Sequence, residues 1–262
     1  MTEFPRRVAY IRTNQFILGN MKPLSNQFVL VTGASGGIGG AIAVAMSEQG
    51  ARVCISGRDE RKLGELAERL RSICTQIDCF RCDLTKDDEV DNLVRQIGQN
   101  FSRLDILVHS AGGIEFGRLD GISLTSLDKL YATNVRGPQM LTQKLLPLLK
   151  QPRGQVVFIN STVALAARAN VGYYSATQHA FKALADCLRD EINSEGIRVL
   201  SVFLGRTATT LVETMHAIEG RPYCPELLMQ PEDVARIVLS AVTMPWTAEV
   251  TNVHIRPMQK SY

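Results

Sequence analysis

Three side chains able to hold or pass a proton stand in order along this chain. They are Asn134 in Thr133-Asn-Val-Arg-Gly137, Ser161 in Ile159-Asn-Ser-Thr162, and Tyr174 in Tyr173-Tyr-Ser-Ala-Thr-Gln178. They follow a glycine-rich stretch, Gln27-Phe-Val-Leu-Val-Thr-Gly-Ala-Ser-Gly-Gly-Ile-Gly-Gly40. Its apolar run, Phe28 to Val31, reads as a buried strand. The chain then turns through Gly33, Ser35, Gly37, Ile38 and Gly39 into a small-residue helix, Gly40 to Ser47. Strand, glycine turn and helix form the context that binds a dinucleotide. Glycines let the backbone approach a pyrophosphate, and the helix N-terminus offers N–H groups and the positive end of its dipole. A second loop, opening at Gly205 and carrying Thr207 and Thr209, follows a later strand.

The elements that must position these residues alternate. Strands are read at Phe28 to Val31, Arg52 to Ser56, Ile77 to Arg81, Leu104 to His109, Gly154 to Asn160, Ile197 to Phe203 and Val250 to Ile255. Between them, apolar residues recur at helical spacing over Glu60 to Ser72 (Leu63, Leu66, Ala67, Leu70), Asp87 to Asn100 (Val90, Leu93, Val94, Ile97) and Tyr174 to Ser194 (Phe181, Leu184, Ala185, Leu188). A long helix is expected over Leu124 to Leu149, interrupted or bent at Pro138 and Pro147. Residues 205–228, with two prolines, read as a flexible cover, and Pro231 opens a last helix. Repeated βαβ units with apolar strands give one α/β domain over residues 27–262, a doubly wound parallel sheet of about seven strands with helices on both faces. Residues 1–26, with Arg6, Arg7 and Arg12 among apolar neighbours, read as a loose extension, an upstream start, or a transit peptide.

Bulk composition narrows the partners. The chain has 262 residues and a net charge of +3, too mild to argue for nucleic acid. No apolar stretch approaches the roughly 20 residues that cross a bilayer. Six cysteines are scattered, and Cys79 and Cys82, three apart on a strand, point to opposite faces, so no metal site is expected. Free thiols suit a reducing, cytoplasmic setting. At the end of the second strand, where an acidic side chain would take a free ribose hydroxyl, the chain has Ser56-Gly57-Arg58; an arginine suits a 2′-phosphate, so NADP(H) is expected ahead of NAD(H). Asp59 is expected to begin the next helix. Asp83-Leu84, after the third strand, would lie at the adenine edge, or Asp83 would cap a helix.

Together the segments Thr32-Gly-Ala-Ser-Gly-Gly-Ile-Gly39, Asp83-Leu84, His109-Ser-Ala-Gly112, Asn134, Ser161, Tyr174 and Gly205 to Thr209 give the chain its likeness, from about Phe28 to Ile255, to the classical short-chain dehydrogenase/reductase family. The resemblance implies a Rossmann domain and hydride exchange between a nicotinamide cofactor and an alcohol or carbonyl. It implies cofactor contacts from Gly33, Ser35, Gly37, Ile38, Gly39, Arg58, Asp83, Leu84, Ser110, Ala111, Gly112, Gly205, Thr207 and Thr209. Tyr174, favoured over Tyr173 by its spacing from Ser161, would donate the proton; Ser161 would hydrogen-bond the same oxygen; Asn134 would hold a water that refills Tyr174. A homodimer or homotetramer is implied as well.

The chain departs from the family where it matters most. Four residues after Tyr174, the family's lysine is replaced by Gln178. A unit charge about 5 Å from a phenolate contributes on the order of 3 kcal/mol at an effective dielectric near 20, roughly two pKa units. Of the nearby cations, Lys182 lies about 12 Å along the helix axis from Tyr174 and His179 about 140° around it, so neither is expected to reach the phenol directly; Arg206, in the loop after Gly205, could approach the cofactor. His109-Ser110 replaces the family's paired asparagines, with Ser110 still able to bond across the sheet, and Leu204 replaces a proline. The sequence therefore predicts NADPH-dependent reduction of a carbonyl, or the reverse; the alternative is a non-catalytic NADP(H)-binding protein, favoured by Gln178. Leu211, Val212, Met215, Ile218 and Tyr223, with Val163 to Ala167, suggest an apolar or aromatic carbonyl or alcohol substrate, and Arg168 could meet an anionic group.

Overall fold

The computed structural model describes residues 22–74 and 76–259. Among them, strands β1 (Phe28–Thr32), β2 (Arg52–Gly57), β3 (Ile77–Arg81), β4 (Ile106–His109), β5 (Gln155–Ser161), β6 (Arg198–Leu204) and β7 (Asn252–Ile255) form one sheet in the order β3-β2-β1-β4-β5-β6-β7. Every neighbouring pair is parallel. The chain winds outward from β1 to β3 and then returns to place β4 on the other side of β1. The register sets Thr32 opposite both Ser56 and His109, so three strands end at one level. A doubly wound sheet that reverses between two neighbours leaves a crevice outside their C-terminal ends.

Period-two alternation on the strands feeds two cores. Val29 and Val31 of β1 face the side covered by helices α1 (Gly37–Glu48), α2 (Glu60–Arg71) and, near the C-terminus, α8 (Pro231–Val242). Leu30 faces the other, where α3 (Asp87–Asn100), α5 (Gly137–Lys150) and α6 (Gly172–Ile192) bury Val90, Leu93, Leu141, Leu145, Phe181 and Leu188. Each helix places its apolar residues one turn apart, which is why the stripes read from sequence match the buried faces. At the far end of the sheet from the crevice, the Arg198 guanidinium donates to the carbonyls of Met244 and Pro245 at 2.9 and 2.6 Å and lies 3.9 Å from the Trp246 ring centroid.

Four readings need correction. Helix α1 begins at Gly37, not Gly40, so Gly37 and Gly39 belong to its first turn. Poor intrinsic helicity disguises them, but a Cβ at Gly39 would lie 2.6 Å from the Gly33 carbonyl oxygen. The middle helix is interrupted at Pro138 as expected, with the break on the turn before it, but α5 runs through Pro147 without a break. After α4 (Leu124–Tyr131), the backbone widens into a π turn over Ala132–Arg136 before α5 starts. Proline has no N–H for the carbonyl four residues back, that of Asn134, so the turn there loosens. Residues 205–228 hold a helix, α7 (Thr210–Ile218), capped by Thr209 and anchored by buried Val212 and His216. Finally, the folded chain starts ahead of Gln27: Leu24 is buried in the core and donates its N–H to the Gln49 carbonyl at 3.0 Å. The rest of the expected extension lies outside the described residues.

Two helical glycines should respond oppositely to the same change. At Gly137 a Cβ would overlap the Leu84 carbonyl, whereas at exposed Gly98 nothing lies within 4 Å. Gly137→Ala is expected to lower stability by about 2 kcal/mol through overpacking, and Gly98→Ala to raise it by about 1 kcal/mol. Urea unfolding of the two variants beside the parent checks both signs.

Candidate active site

The crevice at the strand ends opens into a cleft of about 1470 Å³. That is larger than the roughly 300–1,000 Å³ of a site for one small ligand, and it suits an extended molecule with a second ligand beside it. Every site residue expected from sequence lines it: Gly33, Ser35, Gly37, Ile38, Gly39, Arg58, Asp83, Leu84, Ser110, Ala111, Gly112, Gly205, Thr207 and Thr209, together with Asn134, Ser161, Tyr174 and Gln178.

At the glycine end the cleft depends on missing side chains. Gly33 has φ of +66°, and a Cβ there would stand 2.5 Å from the Ala111 nitrogen. Beside it the Thr32 hydroxyl donates to the Val108 carbonyl at 3.2 Å and accepts from the Ser110 and Ala111 N–H groups at 3.3 and 3.4 Å. The bond across the sheet expected of Ser110 is thus made by its backbone. Gly36, the N-cap of α1, gives that helix no side-chain cap, which leaves its first-turn N–H groups available to an anion. At the end of β2, exposed Arg58 and Lys62 line the cleft. Asp59 does begin the next helix: its carboxylate accepts from the Lys62 N–H at 3.0 Å. Asp83 caps no helix, since Lys86 is the N-cap of α3; it closes a turn instead, accepting from the Thr85 N–H and hydroxyl at 3.0 and 2.8 Å. Burial raises its carboxyl, but the Thr85 bonds, with Arg58 and Lys86, more than offset that and hold it below the usual carboxylate range.

The proton-bearing end is positioned by buried amides and hydroxyls. Asn160, the penultimate residue of β5, accepts from the Ser161 N–H at 2.6 Å and donates to the Gln178 carbonyl at 3.3 Å, fixing the end of β5 against α6. Sequence reading passed over this residue; the signal was an amide at the end of an otherwise apolar strand. Asn134, in the π turn, accepts from the Gly113 N–H at 2.8 Å and donates to the Gly113 carbonyl and the Thr177 hydroxyl at 2.9 and 3.0 Å. Both Nδ2 hydrogens are spent, so its side chain braces the loop after β4 rather than presenting a donor to water. Thr177 in turn donates to the Tyr174 carbonyl at 2.8 Å.

Tyr174 faces the cleft while Tyr173 does not, and its hydroxyl shares a hydrogen bond with Ser161. Burial pushes the phenol above its ordinary value, and the Ser161 bond only partly offsets this. Among the described residues, no charged group adds to these two causes. Lys182 and His179 stand apart from the phenol as the helix geometry leads one to expect, and Arg206 is occupied elsewhere. Lys182 pairs with Asp186 at 2.6 Å, His179 bonds the Ser175 carbonyl at 2.8 Å, and Arg206 pairs with Glu219 at 2.7 Å. Gln178 is buried and lines the cleft without bringing a charge to it.

Beyond Tyr174 the walls are partly as expected. Val163, Leu211, Val212, Met215 and Ile218 line the cleft, but residues 164–167 and Tyr223 do not; the Tyr223 ring packs edge-on against His216 at 5.6 Å. Ile114, Phe116 and Arg118, from the loop after β4, complete the wall. Their signal was the pair Gly113 and Gly117 around apolar residues. Among the described residues, no group of three or more His, Cys, Asp or Glu is arranged to hold a metal ion, and no helix is long and apolar enough to cross a membrane. All six cysteines are free, with Cys79 exposed and Cys82 buried.

Comparison with known proteins agrees with this geometry. Residues 27–219 match the family model described as short chain dehydrogenase. An uncharacterized oxidoreductase of Staphylococcus aureus is 30% identical over 239 residues, covering 91% of this chain and 100% of that protein. A short chain dehydrogenase of Shigella flexneri, solved in complex with NADP, is 30% identical with a TM-score of 0.81, covering 90% of this chain and 98% of its own. A metagenomic short-chain oxidoreductase, also in complex with NADP, is 26% identical with a TM-score of 0.79, covering 91% and 100%.

Behind the cleft, His109 makes the fold sensitive to acid. Its Nε2 is 2.7 Å from the Thr142 hydroxyl, which donates onward to the Pro138 carbonyl, so the ring nitrogen donates to the threonine. Its Nδ1 is buried with no hydrogen-bond partner among the described residues. Burial drives the imidazole down to about 3. Below the unfolded value near 6.5 the unfolded chain takes a proton that the folded one refuses, so this contribution is intact above about pH 6.5 and declines by about 1.4 kcal/mol per pH unit on acidification. Between pH 6.5 and pH 4.5 the parent is expected to lose about 2–3 kcal/mol more than His109→Gln. Urea midpoints at the two pH values measure the difference.

Proposed function

Because the chain belongs to the short-chain dehydrogenase family, we propose that it is an NADPH-dependent reductase converting the carbonyl of an aldehyde or ketone to an alcohol. The observation that carries this reading is the hydrogen-bonded pair of Ser161 and Tyr174 in the same cleft as the glycine cradle. The cradle fits a dinucleotide, since Gly33 and Gly39 occupy places where a side chain would clash with backbone and the first turn of α1 is uncapped. Gly33 to Gly39, Ser110 to Gly112, and Gly205 to Thr209 would hold the cofactor. When bound, NADPH supplies the hydride.

This chain's own residues supply the proton. Ser161 donates a hydrogen bond to the substrate oxygen and fixes it beside Tyr174, whose phenol delivers the proton as negative charge develops there. Asn160, Asn134 and Thr177 keep the two hydroxyl-bearing elements in register. With no cation at Gln178, the phenol stays protonated well into the alkaline range. That favours reduction, which begins from the neutral phenol, over alcohol oxidation, which begins from the phenolate.

NADPH is preferred to NADH on this reading. Arg58 and Lys62 line the adenosine end, and the nearby carboxylate of Asp59 is committed to capping α2. The NADP bound in the metagenomic and Shigella structures is in keeping with this preference. A charge-assisted bond to phosphate is worth roughly 1.5–3 kcal/mol, so Arg58→Ala is expected to raise KM for NADPH about tenfold or more while KM for NADH changes little. Steady-state kinetics with both cofactors give the comparison.

Gln178 itself favours a second reading, a cofactor-binding protein without turnover. NADPH oxidation against a panel of aldehydes and ketones separates the two. The reductase reading expects turnover that Tyr174→Phe abolishes. It also expects Gln178→Lys to move the alkaline limb of the pH profile down by about two units and to speed alcohol oxidation. Turnover in Gln178→Lys alone would establish the non-catalytic reading.

A further inference from the structure

Past Tyr174, the substrate half of the cleft is lined by four arginines, Arg118, Arg168, Arg206 and Arg221, against one carboxylate, Glu219. Glu219 is shared. Arg206 reaches both of its oxygens through Nη2 at 2.7 Å, and Arg221 approaches one at 3.7 Å. The first pair is largely shielded, with Arg206 only 12% exposed, while Arg221 is 46% exposed at the mouth. Arg118 pairs with Asp120, which stands outside the cleft lining. Arg118 and Asp120 cancel, and Arg206 with Arg221 against the single Glu219 leaves that corner one excess positive charge.

The charge is not placed for the cofactor's phosphates. Those belong at the first turn of α1, where Gly37 lies against Thr209 at the start of α7. Glu219 is at the other end of α7, a helix that carries the chain about 14 Å away. Although Arg206 precedes Thr209 in sequence, its guanidinium reaches to that far end. Between the two ends, Leu211, Met215 and Ile218 recur one turn apart and all line the cleft. Leu211 and Ile218 are 47% and 59% exposed, large apolar side chains that a hydrocarbon segment would cover.

We propose that the substrate is an oxo-acid: a carbonyl compound whose hydrocarbon chain lies along α7 and whose carboxylate is received by Arg221 and Arg206. A planar carboxylate can match a guanidinium through two parallel bonds, and Arg221, 3.7 Å from Glu219 and so beyond hydrogen-bond distance of it, can offer them. The inference rests on the reductase reading for the reaction but not for binding.

The test uses straight-chain methyl-ketone carboxylates of increasing length and their methyl esters. Calorimetric titration into the NADP⁺-saturated protein is run beside NADPH oxidation. The acid is expected to bind at least tenfold more tightly than its ester and to show a correspondingly higher kcat/KM. Arg221→Gln should erase that preference, and raising the salt should weaken the acid alone. Esters binding as well as acids would overturn the proposal. So would an Arg221→Gln variant whose acid preference persists, or whose NADPH affinity falls in step with the acid, which would return the charge to the cofactor. Acid-selective binding without turnover would uphold the anion site and sink the reductase reading instead.

Discussion

The structure depends on the contact between the ends of β1 and β4. Two parallel strands that the winding brings together from opposite directions must part there, and they can part so closely only because Gly33 has no side chain to set against Ala111. The Thr32 hydroxyl fastens the same point, bonding the Val108 carbonyl and the Ser110 and Ala111 N–H groups. One residue that gives nothing and one that bonds three ways set the width of the crevice. Everything placed around it, from the uncapped start of α1 to the loop braced by Asn134, takes its position from that junction.

The proton-bearing end follows a different principle. Its residues are fixed by neutral groups: Asn160 ties β5 to α6, and Asn134 with Thr177 ties the π turn to the loop after β4 and to the first turn of α6. Formal charge is kept at the two extremities, Arg58 and Lys62 at one and the cluster around Glu219 at the other. Neutral hydrogen bonds position at little electrostatic cost in a buried setting. A cation beside Tyr174 would instead tune its acidity, and none among the described residues acts there. Geometry and acidity, joined in a single lysine in the family pattern, are uncoupled here.

Much of this was legible beforehand. The inner strands read from sequence overlap the observed ones because each is an apolar run buried on both faces, the edge strands β3 and β7 being only half-buried, and the helices α2, α3 and α6 showed their stripes directly. The cleft residues were legible as motifs whose spacing only a particular loop can satisfy. What escaped did so for physical reasons. Helix α7 hid because two prolines follow it and its exposed face is apolar where the cleft needs it, so no clean polar-apolar contrast appeared. The π turn hid because Pro138 marks where a helix is disturbed but not that the disturbance lies on the turn before it. Asn160 and Thr177 went unnoticed because a bracing residue touches backbone, and no spacing rule in one sequence reveals which carbonyl it will meet.

The clamp at the opposite end of the sheet gives this molecule a built-in observer. Trp246 is the sole tryptophan of the chain, stacked on Arg198, which opens β6 some 20 Å from the end of that strand where the cleft lies. Its emission follows the bottom edge of the sheet, while the binding of a nicotinamide would follow the top. Unfolding curves recorded by the two signals sample opposite ends of the same strands. Their coincidence or separation measures directly whether cleft and sheet melt as one cooperative body.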